Sequence, residues 1–335
     1  MDNTIKVGDI HIVGLTDGSV TFDPRILFPD TALEAWEPYY DIFPECFDGK
    51  FFRTNLGSFA ISTKDKLIVA DTGFGPHGDM FGFPAPGRLL GDFESNGLSL
   101  ESVNTVFITH LHGDHCFGLV GLISTFRLLG READLHIYAP KGLKESILLQ
   151  LKLGNSWTNY NLIFHELTNK KSELIFEDEK VTVETIPLDH RVYTNGFLFR
   201  EKEGDRKLDM NAVLNEGIDV AYYRKLKQGA DVPNLKGEIV RNELMTKPAA
   251  PPKSYAFCSD TAYNESIIPL ISSVTALYHE STFLDQHIEL AAPTKHSTAK
   301  QAAAIAKLAN VEQLILGHYS TRYDNLDAFK EEAET

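Results

Sequence analysis

Cysteine is scarce in this 335-residue chain: Cys46, Cys116 and Cys258, odd in number and widely separated. No Cys-x-x-Cys pair occurs, which excludes a thiolate zinc site and a disulfide framework and fits a reducing compartment. Long apolar runs are missing as well. None is of bilayer-spanning length, and residues 1–18 lack the basic start and continuous apolar stretch of a signal peptide. The expectation is a cytoplasmic protein with no membrane partner. Positive charge is in deficit, with 32 Lys and Arg against 47 Asp and Glu, a net charge of −15. Residues 1–103 hold 7 basic and 16 acidic side chains. Such a chain repels a polyanion at long range, so any RNA-binding surface must be a local patch, helped by bound cations that a side-chain count omits. No internal repeat or low-complexity tract stands out. A hydrophobic content of 43 % excludes disorder as the main state, and the length allows a substantial core.

What is present is a series of short β-rich runs that end alike. Lys66–Ala70 leads into Asp71-Thr72-Gly73, and Val103–Ile108 into Thr109-His110. Val181–Ile186 leads through Pro187 and Leu188 to Asp189-His190, Ser254–Cys258 to Ser259-Asp260-Thr261, and Gln313–Leu316 to Gly317-His318. Five strands thus deliver a ligand-type residue at their C-terminal ends, where a rigid element meets an open loop. Helical patterns alternate with them. Gly118–Gly130 closes at glycine, and Thr298–Ala309 carries Ala302, Ile305, Leu308 and Ala309 on one face with Ser297 or Thr298 placed to cap. The mixture predicts an α/β layered fold. One domain over 1–335 is expected, with an inserted arm at about 200–252 that is charged, weakly periodic and closed by the Pro-rich Lys247–Lys253 return.

The chemistry concentrates in His110, His112, Asp114 and His115, just past a strand. Imidazole suits zinc and a carboxylate oxygen completes a mixed site. A tight turn there aims His110 and His112 at one ion and Asp114 and His115 at its neighbour, with Gly113 permitting the backbone shape. A lone histidine is usually a satisfied core or surface residue; His-x-His-x-Asp-His after an apolar strand is not. His190 and His318 each follow a strand and are either core histidines or ligands. Asp260 either caps a turn or bridges two cations, and Asp71 either caps its Thr-Gly turn or supports a ligand. His279-Glu280 and His296 lie in two separate late loops, each by itself more readily surface than catalytic. His11, His77, His136, His165 and His287 read as structural.

This pattern resembles the metallo-β-lactamase superfamily, and residues from about 103 to 325 resemble ribonuclease Z. The resemblance is carried by Phe107–Leu122, His190–Phe197, Phe257–Thr261 and Leu316–Tyr323, with Tyr278–Phe283 and Lys295–Ala302 similar to two further loops of the nuclease. It implies a four-layer αβ/βα sandwich. It implies two zinc ions, with manganese or iron as substitutes: one held by His110, His112 and His190, the other by Asp114, His115 and His318, with Asp260 between. It also implies a tRNA 3′-processing endonuclease, a homodimer that grips precursor tRNA with an arm between the third and fourth motifs. Residues 200–252 occupy that place, and Tyr222, Arg224, Lys225 and Lys227 offer groups suited to phosphate and 2′-hydroxyl contact. Ten basic and nine acidic residues over 200–250 also fit a plain solvated surface. The N-terminal third departs from the family: Ala70–Gly75 and the acidic, Phe- and Pro-rich lead-in are more similar to the lactonase and methyl parathion hydrolase branch. The chain also stops at Thr335, soon after His318, where the nuclease normally continues into a closing strand.

The mechanism expected from this reading is two-metal hydroxide attack on a phosphodiester. Asp114 orients the nucleophile, and His296 protonates the leaving 3′ oxygen with Glu280, directly or through His279, holding its charge. A rival keeps the same metals but takes a small ester, lactone or phosphotriester, drawing on the N-terminal Phe residues as an apolar pocket. A third is a non-catalytic scaffold that binds RNA or metal without turnover.

Overall fold

The computed structural model describes residues 3–8, 10–26, 31–40, 44, 47–63, 67–73, 75, 79–80, 83–84, 87–99, 102–320, 322–323 and 325–335. Cys46, Lys66, Phe74 and His77 lie outside them. Two sheets face each other. The first orders β1 (Thr4–Val7), β2 (Ile10–Phe22), β3 (Phe51–Ser62), β4 (Leu67–Ala70), β5 (Val103–Phe107), β6 (Leu135–Pro140) and β7 (Leu162–Leu167), with the short strand Phe47–Asp48 added against β3. It is antiparallel through β4 and parallel from β4 to β7. The second orders β8 (Leu174–Glu177), β9 (Val181–Leu188), β10 (Thr194–Glu201), β11 (Ser254–Cys258), β12 (Ala276–Glu280) and β13 (Gln313–Gly317), antiparallel through β11 and parallel thereafter.

Strand periodicity builds the layers. Side chains alternate across a strand, so Ile68 and Ala70 of β4 join Phe197, Phe199, Tyr255, Phe257 and Tyr278 between the sheets, while Leu67 and Val69 point outward. Outward residues of the first sheet pack on helices α1 (Leu89–Ser95), α2 (Gly113–Cys116), α3 (Gly118–Leu128) and α4 (Leu143–Leu153), through Phe93, Leu119, Ile123, Phe126 and Ile147. On the other side Leu198, Ala256 and Leu277 meet Ile305 and Ala309, at and just past the end of the helix Ala299–Leu308. Helix, sheet, sheet and helix are the four layers of the αβ/βα sandwich. The predicted cap is present: Thr298 Oγ1 accepts from Gln301 N, and Gln301 reciprocates to Thr298 N.

Residues 202–253, between β10 and β11, are more ordered than their weak periodicity implies. Helices α5 (Met210–Asn215), α6 (Tyr223–Lys227) and α7 (Asn242–Met245), with two short ribbons, close on Val213, Ile218, Leu226, Val232, Val240 and Met245. Asn242 ties this core by donating to Leu226 O and Ala230 O. Arg224, Lys225 and Lys227 remain exposed, with Lys225 Nζ 5.7 Å from the Tyr222 ring centroid. The N-terminal aromatics turn on one another. Phe22, Phe47, Phe52 and Trp36 form one cluster, with Trp36 and Phe52 centroids 5.6 Å apart edge to face, so these rings fill a core and do not line a substrate pocket. After β13 the chain ends in the helix Asp327–Ala333, whose Phe329 is buried against Phe283, Ala299 and Tyr323.

Candidate metal centre

β5 ends at Phe107, and the next eight residues carry most of the centre. Thr109 and His110 are fully buried. His112, in extended backbone at ψ 149°, caps α2, which holds Asp114 and His115. This loop is braced by the turn after β4. Thr72 N donates to His115 O at 2.8 Å and Gly118 N to Gly73 O at 2.8 Å. A Cβ on Gly118 would stand 1.8 Å from Thr72 O, so only glycine permits that approach. Asp71 adopts a left-handed φ of 58°, uncommon for a residue with a Cβ. The bend delivers its carboxylate to Thr109 N (3.1 Å), Thr109 Oγ1 and His115 Nδ1 (2.9 Å).

His190 follows β9, Asp260 follows β11, His318 follows β13 at φ 58°, and His296 precedes the helix Ala299–Leu308. All converge. His110, His112, His190 and Asp260 form one group, Asp114, His115 and His318 a second, and Asp260, His296 and His318 a third, with ligand atoms in each group within 4.8 Å of one another. Asp260 stands between the first two groups. Its Oδ2 is 3.7 Å from the Nε2 atoms of His110 and His115 and 3.8 Å from that of His190, and its Oδ1 is 3.3 Å from His318 Nε2.

The outer hydrogen bonds decide which nitrogens carry protons. His190 Nδ1 donates to Lys295 O at 2.9 Å and His115 Nδ1 to Asp71. Thr109 Oγ1 gives its proton to Asp71 and so accepts from His110 Nδ1 at 3.0 Å. Thr282 Oγ1 gives its proton to Glu280 and accepts from His318 Nδ1 at 2.8 Å. In the neutral rings all four Nε2 lone pairs therefore face inward. His110 Nε2 and His190 Nε2 lie 3.0 and 3.3 Å from His112 Nδ1, and His115 Nε2 is buried with no hydrogen bond. His112 Nδ1 can donate to only one of these two acceptors, and the lone pairs left over are suited to cations. The nitrogen and oxygen donors, with no sulfur among them, fit borderline or hard divalent ions.

The protonation states of His110 and Asp260 agree with that role, whereas His115 favours the imidazolium, whose Nε2 proton a cation would have to displace. Burial first, then the neighbouring His115, drives His110 down to about 2, so it stays neutral. Burial pushes Asp260 upward, but His318, His115, His110 and His296 outweigh it and hold the carboxyl well below its usual range. For His115 burial acts downward and is overcome by Asp114, Asp71 and Asp260, which raise it.

His279, Glu280 and His296 depart from the expected exposed loops. His279 and Glu280 are the last residues of β12 and fully buried, and the His296 side chain is 12 % exposed. Successive strand residues point to opposite faces, so only Glu280 reaches the centre: its Oε1 accepts from His296 Nδ1 at 2.8 Å. His279 Nδ1 donates to Glu280 O instead, which removes it as the relay between them. Burial lowers His296, yet the Glu280 hydrogen bond and charge raise it overall; Glu280, pushed up by burial, is lowered by His296. Thr109 and Thr282, whose hydroxyls fix His110 and His318, are not ionisable and so do not stand out in the sequence. The available signal was their position beside His110 and within Glu280-Ser281-Thr282. His136 and His165 pair with each other at 3.0 Å, and His287 bonds Tyr323 at 2.8 Å.

Comparison with known proteins agrees with this geometry. Residues 58–194 match the metallo-beta-lactamase superfamily. Ribonuclease Z of Bacteroides fragilis is 40 % identical over 276 residues, 82 % of this chain and 86 % of that one. Ribonuclease Z of Cytophaga hutchinsonii is 46 % identical over 226 residues, 67 % of this chain and 71 % of that one. The crystal structure of human tRNase Z, short form, shares the fold at a TM-score of 0.55 and 22 % identity, covering 80 % of this chain and 87 % of that one. Among the described residues no helix is long and apolar enough to cross a membrane. This cluster of inward-facing nitrogens and a buried carboxylate could hold the divalent metal that the fold implies for a hydrolase acting on RNA phosphodiester bonds, and the chain belongs to the ribonuclease Z family.

Proposed function

We propose that this chain is a zinc-dependent tRNA 3′-processing endonuclease. The single observation that carries the reading is the convergence of five histidines and Asp114 around Asp260, in a chain 40 % identical to a ribonuclease Z. His110, His112 and His190 would hold one zinc and Asp114, His115 and His318 the other, with Asp260 shared. Bound there, the pair supplies Lewis-acid polarisation of a phosphoryl oxygen and a water acidic enough to ionise near neutral pH. Asp114, half-buried at the mouth, orients the attacking water toward phosphorus. As the new P–O bond forms, the bond to the 3′ oxygen of the tRNA body breaks, and His296 gives that oxygen its proton. Glu280, 2.8 Å behind, stabilises the imidazolium beforehand and holds the neutral ring in place afterwards.

The half-buried Tyr222 and the exposed Arg224, Lys225 and Lys227 on the folded arm would meet tRNA phosphates and riboses. A homodimer is supported by Leu128, Leu149, Leu153 and Trp157, exposed near the C-terminal ends of the neighbouring helices α3 and α4. Cys116 and Cys258 are buried and unpaired, as a reducing cytoplasm keeps thiols. The test is cleavage of a 3′-extended precursor tRNA by zinc-loaded protein, with product ends mapped. A 3′-hydroxyl on the body and a 5′-phosphate on the trailer are expected. Zinc-loaded protein that leaves the precursor intact but opens a lactone or paraoxon-type ester would refute the assignment.

A further inference from the structure

Three charged side chains at the rim play no part in the chemistry above: Asp189, Arg191 and Lys295. Asp189 and Arg191 flank His190 in the turn from β9 to β10, and both are exposed. Lys295, left-handed at φ 59°, offers its carbonyl to His190. Its ammonium lies 2.9 Å from Asp189 Oδ2, so these two charges offset each other and tie the loops on either side of the mouth. Arg191 has no such counterpart. Among the described residues it forms no ion pair, although the centre beside it is rich in carboxylates.

Its location follows from its neighbours. His112 and His296 both lie against His190, with ring centroids 5.0 and 5.1 Å from it. Burial is the largest influence on each of the two, and the Arg191 charge is among those opposing their protonation. Arg191, the exposed residue next to His190, therefore sits beside the gap between the 110–115 loop and His296, where substrate must enter. A planar guanidinium there matches two phosphate oxygens in a fork that a lysine cannot reproduce.

We propose that Arg191 binds a phosphate of the RNA strand next to the scissile bond, and so favours phosphodiesters over neutral esters at this centre. The proposal rests on the ribonuclease reading and adds a substrate contact to it. The full-length zinc-loaded chain is compared with Arg191→Gln and Arg191→Lys. For precursor tRNA, Arg191→Gln raises KM roughly tenfold, as expected for one charge-assisted hydrogen bond at a rim, with kcat little changed. Arg191→Lys recovers part of the loss. Zinc content and hydrolysis of a neutral nitrophenyl ester stay as in the parent.

Two readouts address the contact itself. A methylphosphonate at the phosphates flanking the scissile bond raises KM in the parent but adds nothing in Arg191→Gln, because the pair is already broken. RNA affinity, measured in the slowly turning His296→Ala background, depends on salt with a slope shallower by about one contact when Arg191 is replaced. Parent-like KM and salt slope in Arg191→Gln, or loss of zinc along with activity, overturn the proposal. A parent that binds RNA without cleaving it defeats the nuclease reading alone, and the salt slope still decides on Arg191. A parent that neither binds nor cleaves RNA defeats both.

Discussion

The Glu280–His296 pair offers the sharpest test of the acid–base argument. Glu280 is fully buried, and its two oxygens accept four hydrogen bonds. Oε1 takes Thr261 N at 3.0 Å and His296 Nδ1 at 2.8 Å; Oε2 takes Thr282 N at 2.9 Å and Thr282 Oγ1 at 2.8 Å. Glu280→Gln keeps size and shape but brings an amide NH2 to one side, where donors already point. If the amide faces Thr261 and His296, both lose their acceptor. If it faces Thr282, the hydroxyl can turn to accept it, but Thr282 N and the displaced hydroxyl proton both lose their acceptor. Either way about two buried donors go unpaired, a cost of roughly 2–6 kcal/mol at 1–3 kcal/mol each, readable as a lower urea midpoint with unchanged m. The kinetic consequence has a definite sign. As the proposed acid His296 would act in its protonated form, so kcat should fall as pH rises through its pKa, which burial lowers but Glu280 raises above the ordinary imidazole value. Without the carboxylate that pKa drops, and the alkaline limb of the kcat profile moves to lower pH. His296→Ala removes the limb and costs about 10²–10⁴ in kcat while zinc content stays constant. A Glu280→Gln enzyme that is folded and zinc-loaded yet keeps the parental alkaline limb would refute the assignment of His296 as the acid.

Asp71→Asn weakens the acceptor that orients His115 and should lower metal affinity by about 10–100-fold in a chelator competition; parental affinity would reduce Asp71 to a turn residue. Gly118→Ala drives a methyl into the Thr72 carbonyl and is expected to cost about 3 kcal/mol in urea unfolding, with a parental midpoint showing that the turn and α3 separate freely. Alanine at Arg224, Lys225 and Lys227 together should make the salt dependence of tRNA binding shallower by about two to three contacts, while a neutral ester is hydrolysed at the parental rate. An unchanged slope would leave the arm a solvated surface.

The parts of the centre that were legible share one property: their role is written into consecutive residues. His110, His112, Asp114 and His115 alternate along one turn, and Asp71, His190, Asp260 and His318 each follow an apolar run, so residue type and strand end sufficed. Thr282 was opaque because its function exists only where residues 280, 296 and 318 meet, far apart in the chain. His279-Glu280 is ambiguous in sequence because nothing local marks the run before it as β12, and only strand alternation decides which of the two faces His296. The arm's core escaped for a different reason. Its longest element, α5, has six residues, too short for a 3.6-residue period to repeat, and Val213, Leu226 and Met245 come together only after several turns.

Net charge was the least informative guide, and the geometry explains why. Asp71, Asp260 and Glu280 are buried and already bound to imidazoles, hydroxyls and backbone amides. They count toward the −15 of the chain while their field is directed into the centre. A divalent pair at that point would reverse its sign locally. An approaching RNA strand meets the rim, where Lys295 is offset by Asp189 and the Arg191 guanidinium has no carboxylate of its own. Attraction at such a mouth is short-ranged and set by a few charges, so affinity should fall steeply with salt even though the molecule as a whole repels its substrate.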